Sequence, residues 1–550
     1  MDQGLGYWAT KRAAISGDRL AIVDRHLRFT YREFNQRCNR LANALRDSGV
    51  RPGDRVCSLL QNGHVQLELI FAVAKLGAIF LPINFRLTVP EIEYIIQDSG
   101  ARTLFFHDEF RHLAEGLQHG VHLDTVVYAG RSNACDQEDE YEALLAAAAD
   151  DEINASVGQD DVALLMYTSG TTGRPKGVVH THLGVQAKAT ADFLLCLDMK
   201  RDDRHLWMTD MGWVMGPLTL LSVLLSGSTL VLAEGAPSMP GDPFRLLRLA
   251  SEMEVTHLGV APTLVRQFMT QDTESLSGYD LSSLRIVAST GEPWTEDAWL
   301  WQLDHICRRR AVPLNISGGT ELFGAILTST VLHELKPGGF SAQAMGVGAK
   351  VLRQDGSEAA PGEVGELVVT QPPLGLTPAI WGDRDRYLET YWSTFPGLWR
   401  HGDWVRCDPD GTWYILGRSD DTLNIAGKRI GPPEIEAALT ETGEVVDAAA
   451  IAAPDDIKGV AVVCVCVAAQ GVTPDAELVE RLKDRVGEIV SKPFRPREIH
   501  FVEALPKTRS MKTMRRVVRA AFLGEDPGDL SSISNPETIQ PIADLQKEKS

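Results

Sequence analysis

Short apolar runs rich in Val, Ile and Leu alternate with amphipathic segments from residue 20 to residue 310, and this alternation limits the fold more than any other feature of the chain. "LAIVD" (20–24) reads as a strand. In "TYREF", Thr30 and Glu33 have capping-box spacing, and Phe34, Cys38, Leu41 and Leu45 then share one face of a helix. "DRVCSLL", an apolar helix "VQLELIFAVAKLG" and "AIFLPIN" continue the pattern, and "DVALLMY", "STLVLA", "THLGVAP" and "LRIVAST" repeat it after residue 150. Strands separated by helices join as crossovers, which predicts an α/β body with a largely parallel sheet, here as two consecutive lobes. From 340 to 416, short strands with Gly and Pro ("GEVGELVVTQPP", "GTWYILG") predict a small β-rich region. A compact α+β segment follows "GRSDD", and the Asp- and Ser-rich last 25 residues are expected to pack loosely. The expectation is therefore a large N-terminal domain, 1–418, of two doubly wound α/β lobes plus a small β-rich region, followed by a small α+β domain, 419–550.

A net charge of −20 repels polyanions and argues against nucleic acid as a partner, so any anionic ligand must be held by local donors. The most apolar stretch, "PLTLLSVLLSGSTLVLA", is interrupted by Ser, Thr and Gly; it reads as buried helix and strand rather than as a membrane span. The N-terminus lacks the layout of a signal peptide, and the eight cysteines contain no CxxC pair. Cys464 and Cys466 in "AVVCVCVAA" would share one face of a strand. These features together predict a reducing cytoplasm.

"YTSGTTGRPKGVVH" (167–180) follows an apolar strand with a loop of Gly, Ser and Thr and one lysine, Lys176. Glycine allows close approach, so backbone N–H groups, hydroxyls and the ammonium can converge on a polyphosphate. The pattern is not G-x-x-x-x-G-K-[ST], and on the residues alone a mobile polar turn is an equally good reading.

That stretch resembles the phosphate loop of the adenylate-forming superfamily, the group of acyl-CoA synthetases, aryl-CoA ligases, luciferases and peptide-synthetase adenylation domains. Five more segments occur in family order: "STGEPW" (289–294), "SGGTE" (317–321), "HGDW" (401–404), "GRSDDTLNIAGKRIGPPEIE" (417–436) and "LPKTRSMK" (505–512). The resemblance implies a mobile C-terminal domain turning at Asp420, with ATP, Mg²⁺ and coenzyme A as co-substrates and metal. It implies that Thr168, Ser169, Gly170, Thr171, Thr172, Gly173 and Lys176 surround the phosphates. Thr320 would bond the α-phosphate and Glu321 would help hold Mg²⁺. Gly291, Glu292 and Pro293 would line adenine, Asp403 would bond the ribose, and Arg418 and Arg429 would face ribose or phosphate. Lys512 would bridge the substrate carboxylate and the nucleotide, where a cation offsets the repulsion between two anions. Gly427 would let a pantetheine arm pass in the second half-reaction.

"TDMGWVMGPL" resembles the acyl-pocket segment of acetyl- and medium-chain synthetases, with Trp213 at the gating aromatic. Acetyl-CoA synthetases close the pocket with a tryptophan two residues before the motif threonine, where this chain has Gly318. The expected activity is an AMP-forming acid:CoA ligase for a medium-to-large acid, with small-molecule partners, no membrane, and a homodimer compatible with the chain. One departure stands out: the usual S-G-K is S-M-K, and Met511 replaces a glycine suited to a tight loop. This raises a half-reaction enzyme, weak in adenylation but able to make a thioester from a preformed adenylate. The same motifs are also compatible with adenylation followed by transfer to a carrier protein, and with non-catalytic binding of an acyl-nucleotide.

Overall fold

The computed structural model describes residues 4–117, 120–130, 139–153, 155–168, 175–419, 423–425, 428–455, 459–508, 512–528, 530 and 533–545. Contacts group the described residues into two units: one within 1–168, 175–349 and 369–399, the other within 350–368 and 400–550. The strands that carry Asp403 and Arg418 thus go with the C-terminal residues.

In the first unit, a six-stranded sheet runs in the order Thr125–Ala129, Thr103–His107, Arg55–Leu59, Ile79–Pro82, Val162–Thr168, Lys176–Thr181. All neighbours are parallel except the last pair. A nine-stranded sheet runs from Ala342–Gln343 through Gly324–Thr328, Val312–Gly319, Ile286–Ser289, His257–Val260, Arg204–Trp207, Thr229–Leu232 and Leu20–Asp24 to Leu27–Thr30. Its five inner pairings are parallel and its edges antiparallel. Helices cover both, as strands apolar on both faces require. The helix Tyr31–Asp47 begins at the expected capping box, and Phe34, Cys38, Leu41 and Leu45 are all buried. The apolar segment after residue 215 forms the helix Met215–Ser226, buried from Gly216 onward, and the strand Thr229–Leu232. Among the described residues, no helix is long and apolar enough to cross a membrane.

The two lobes are α/β as expected, but they are not consecutive. Leu20–Asp24 pairs in parallel with Thr229–Leu232, with Ile22 opposite Leu230, so the first strand joins the later sheet. Val162–Thr168 and Lys176–Thr181 join the earlier one. A hydrophobic pattern marks a strand as buried without specifying its neighbour; that choice is made by packing between segments distant in sequence.

Asp24, at the end of the strand Leu20–Asp24, meets His64, which opens the helix His64–Lys75 beside the other sheet. His64 Nδ1 lies 2.7 Å from Asp24 Oδ2, and the His64 amide donates to the same oxygen at 3.0 Å. Both side chains are buried. Burial alone would lower the imidazole pKa, but hydrogen bonds to Asp24 and Glu142 and the charge of Glu68 outweigh it and raise the pKa to about 9. Arg37 faces the same cluster, paired to Glu68 and Glu142.

In the second unit, Gly348–Leu352, Val364–Gln371, Trp399–Cys407 and Trp413–Arg418 form a four-stranded sheet, and Leu423–Ile425 pairs with Lys428–Ile430. Val445–Asp455, Gly459–Ala468 and Glu498–Phe501 form a three-stranded sheet with two covered faces. Ala448, Ala450, Cys464 and Cys466 pack with Ile435, Leu439, Leu478, Leu482 and Val486 on one side. Ala449, Ile451, Val463 and Val465 pack with Val518, Phe522 and Ile542 on the other. The expectation of a loose tail therefore fails in part: the helix Ile539–Asp544 buries Ile542 completely, because the second sheet face needs a cover beyond the helix Arg515–Leu523.

Because the folded pKa of His64 is raised above the ordinary 6.5, its stabilising contribution is complete below about pH 6.5 and is lost as pH rises through about 9. Urea unfolding should show stability falling across that window by up to about 3 kcal/mol more in the parent than in His64→Gln. Parallel profiles for the two proteins would rule out this account.

Candidate active site

The antiparallel pair Val162–Thr168 and Lys176–Thr181 places Thr168 opposite Lys176, at the two ends of the glycine-rich loop. Ser169, Gly170, Thr171, Thr172 and Gly173 lie outside the described residues. Thr168 Oγ1 is buried and has no hydrogen-bond partner among the described residues. Lys176 Nζ lies 2.9 Å from Glu321 Oε1, and the two side chains are only 13% and 15% exposed. It also donates to the Tyr391 hydroxyl and sits 4.8 Å from the centre of that ring. Tyr391 in turn donates to Glu321 Oε1 at 2.5 Å.

Glu321 stands on a single 3-10 turn, Thr320–Leu322, at the end of the strand Val312–Gly319. The turn is held from three directions. Its carbonyl accepts the Thr377 amide at 2.6 Å, and the Thr377 hydroxyl donates to Val179 O, on the strand of Lys176, at 2.8 Å. The next strand, Gly324–Thr328, is fixed by Asp192, whose Oδ2 accepts the Ala325 amide at 2.8 Å while Oδ1 takes Lys188 at 2.6 Å, a pair almost wholly buried. Phe323 enters that strand at φ +49°, with its ring buried against His180 at 5.0 Å. Burial would raise the Glu321 pKa, but the Lys176 charge and the Tyr391 hydrogen bond reverse this and set it at about 2. His180, buried with neither ring nitrogen partnered among the described residues, is pushed down by burial to about 3 and is neutral.

Gly318 pairs with Ala325 at a register shift, and a Cβ built on it would lie 1.9 Å from Gly324 O. Only glycine allows this approach of the two strands. Gly291, at φ +106°, with exposed Glu292 and Pro293, forms a turn after the strand Ile286–Ser289. Trp294 Nε1 anchors it by donating to Ser289 Oγ at 2.9 Å. The Glu292 carboxylate is taken by Arg266 at 2.5 Å and by Thr263. Trp213 is half-buried on a turn where Asp210 accepts the Gly212 amide at 2.8 Å and pairs with Arg86 at 2.5 Å.

In the second unit, Asp403 and Arg418 are direct neighbours on adjacent strands, 3.4 Å apart, with His401 Nε2 3.3 Å from the other Asp403 oxygen. Arg418 is 46% exposed while Asp403 is 12% exposed, so the pair presents a cation outward. Lys512 is exposed at a turn closed by its amide donating to Thr508 Oγ1 at 3.1 Å and by the Thr508 amide donating to Lys512 O at 2.8 Å. The helix after it is tied to Pro432–Thr440 by a two-pronged Arg515–Glu436 pair at 2.7 and 2.6 Å. Asp420, Gly427, Met511 and the Arg429 side chain lie outside the described residues; the Arg429 backbone pairs with Asn424.

The residues present fit Mg²⁺ in a specific way. Among the described residues, no cluster of three His, Cys, Asp or Glu could hold a metal; on the turn Thr320–Leu322 the described residues offer the ionised carboxylate of Glu321, already facing a cation. Mg²⁺ is commonly bound through one or two carboxylates with substrate phosphates and water, which matches that supply. Sequence reasoning missed Tyr391, Thr377 and the Lys188–Asp192 pair. Nothing in "RYLETYWSTFPGLW" marks one aromatic above another.

The family model for "AMP-binding enzyme" matches residues 9–381, and that for "AMP-binding enzyme C-terminal domain" matches 434–512. The acetyl-coenzyme A synthetase of Chlorobaculum tepidum is 31% identical over 566 residues, an alignment covering 100% of this chain and 85% of that protein. Among solved structures, the acetoacetyl-CoA synthetase from Streptomyces lividans superposes with a TM-score of 0.91 at 27% identity, covering 100% of this chain and 87% of that one. An anthranilate CoA ligase in complex with anthranoyl-AMP gives 0.84 at 25% identity, covering 94% and 97%.

Gly318→Ala should lower stability by about 1–3 kcal/mol, because the added methyl meets backbone rather than a side chain that can swing away. Urea unfolding measures it; an unchanged midpoint would mean that the strand pair is looser than described.

Proposed function

The chain belongs to the AMP-binding enzyme family and is an acid–thiol ligase of the AMP-forming acyl-CoA synthetase type; from that premise we propose that its acid is medium-sized or larger. ATP and coenzyme A are its co-substrates. The observation that supports the ligase chemistry is the Lys176–Glu321 pair, which supplies a cation for phosphate and an ionised carboxylate for Mg²⁺; the size of the acid rests on glycine at 318.

In this reading the bound Mg²⁺, held by Glu321, neutralises charge on the phosphates. Lys176, Thr168 and the loop residues 169–173 surround those phosphates, and the Thr320 hydroxyl bonds the α-phosphate. The Gly291–Pro293 turn lines adenine through its backbone, since the Glu292 carboxylate is engaged by Arg266. Asp403 takes the ribose hydroxyls, Arg418 and Arg429 face ribose or phosphate, and Lys512 draws the acid's carboxylate toward the α-phosphate. Attack of the carboxylate on the α-phosphate releases pyrophosphate; after a turn at Asp420 the CoA thiol attacks the acyl carbonyl and releases AMP, with Gly427 beside the pantetheine arm. Trp213 gates the acyl pocket, and the chain carries glycine at 318 where acetyl-CoA synthetases place the tryptophan that closes it for acetate. The seven described cysteines are all free thiols, six of them buried, which supports a cytoplasmic setting.

Met511 favours a second reading. If the glycine of S-G-K holds a left-handed conformation, a methionine reaches it only at about 1 kcal/mol or more, and a shift of about 1 Å in a catalytic group can cost on the order of 100-fold in rate. Adenylation would then be weak while thioester formation from a supplied adenylate persists.

A panel of carboxylic acids assayed with ATP and CoA, beside synthetic acyl-adenylates with CoA alone, separates these readings. Turnover should favour acids larger than acetate, and Lys512→Ala should depress the ATP-dependent reaction by about 100-fold or more while sparing the adenylate reaction. Acetate as the best substrate would sink the size assignment. Equal, fast acyl-AMP formation by the parent and Met511→Gly would discard the half-reaction reading.

A further inference from the structure

Tyr391 uses each part of its side chain differently. The ring is buried and stacks on Trp399, itself fully buried, with centroids 4.0 Å apart and planes 12° from parallel. A phenylalanine would meet that demand equally well. The hydroxyl, however, is spent on two charged groups: it accepts from Lys176 and donates to Glu321 Oε1 at 2.5 Å. The helix that carries it, Arg384–Trp392, makes a second contact with the same turn. One turn earlier, the Tyr387 hydroxyl donates to Thr377 O at 2.8 Å, and the Thr377 amide holds the Glu321 carbonyl at 2.6 Å. One helix thus fixes both the backbone and the carboxylate of Glu321.

We infer that Tyr391 is a positioning residue for Glu321: its phenol keeps Oε1 in place when Lys176 leaves for a phosphate, so that the carboxylate stays aimed for Mg²⁺. The inference rests on the reading of Glu321 as the metal carboxylate and of Lys176 as the phosphate lysine. Lys176 and Tyr391 both bond Oε1, and the ammonium lies over the phenol ring. A polyphosphate attracts the charged ammonium, whereas the neutral phenol carries no net charge to draw it away and already donates its one proton to a carboxylate. After the exchange, the phenol is the remaining described side-chain donor on that oxygen. A ligating carboxylate that loses such a partner rotates more freely, and groups of this kind typically change metal affinity or activity by about 10–100-fold.

The test is calorimetric binding of ATP to the full chain across a Mg²⁺ titration. Tyr391→Phe keeps the stack on Trp399 and the ammonium over the ring. It should raise the Mg²⁺ concentration for half-maximal ATP binding by about 10-fold or more, leave metal-free ATP binding unchanged, lower the Tm by no more than the loss of one hydrogen bond to a carboxylate implies, and converge with the parent at saturating Mg²⁺. A lowered Tm with an unchanged Mg²⁺ requirement would make Tyr391 a packing residue and overturn the inference. Glu321→Gln separates the two levels. If it shifts the Mg²⁺ requirement and Tyr391→Phe does not, the inference fails alone; if neither shifts it, the metal assignment of Glu321 fails as well.

Discussion

A carboxylate removed from water must be given a cation and hydrogen-bond donors, and the arrangement around Glu321 follows from that requirement. Lys176 supplies the charge and Tyr391 the donor. The antiparallel register that sets Thr168 opposite Lys176 brings the ammonium to the end of its sheet, and Thr377 ties that strand to the Glu321 turn. An ammonium also suits a polyphosphate, so the phosphate contact proposed for Lys176 would draw on the cation that neutralises Glu321.

Two other buried pairs serve the scaffold. Asp24–His64 joins a strand of the nine-stranded sheet to a helix beside the six-stranded one, and Lys188–Asp192 holds the strand that follows Glu321. Losing one member of such a pair leaves a buried charge uncompensated, typically about 3–5 kcal/mol. Their value lies in geometry as much as in energy: a hydrogen-bonded ion pair tolerates little displacement, whereas apolar contacts between two sheets would tolerate sliding. The second unit follows a different plan. Its three-stranded sheet is covered on both faces, with alternating residues of Val445–Asp455 entering two separate cores, and the Arg515–Glu436 pair anchors the helix that follows Lys512.

Much of this was legible in the sequence, and for local reasons. Capping at Thr30 and Glu33, the buried face of the helix after it, the burial of the segment after Met215 and the shared face of Cys464 and Cys466 all depend on neighbours a few residues apart. The site residues were legible as types in a motif order: glycines, hydroxyls, Lys176, Glu321, Asp403. Their partners were not. Tyr391 lies 70 residues from Glu321 and 215 from Lys176, among several aromatics with equal claim to the core. Ile542, in a polar tail, closes a core whose other members begin near residue 449.

The sequence by itself determined the α/β alternation, the motif order and so the family. Tertiary structure alone decided that Leu20–Asp24 lies beside Thr229–Leu232 and not in the sheet of its sequence neighbours, and that a tyrosine of the helix Arg384–Trp392 stands between Lys176 and Glu321. Periodicity records which face of an element is buried. Which element buries it is a free-energy comparison among distant segments, settled only when the whole unit packs.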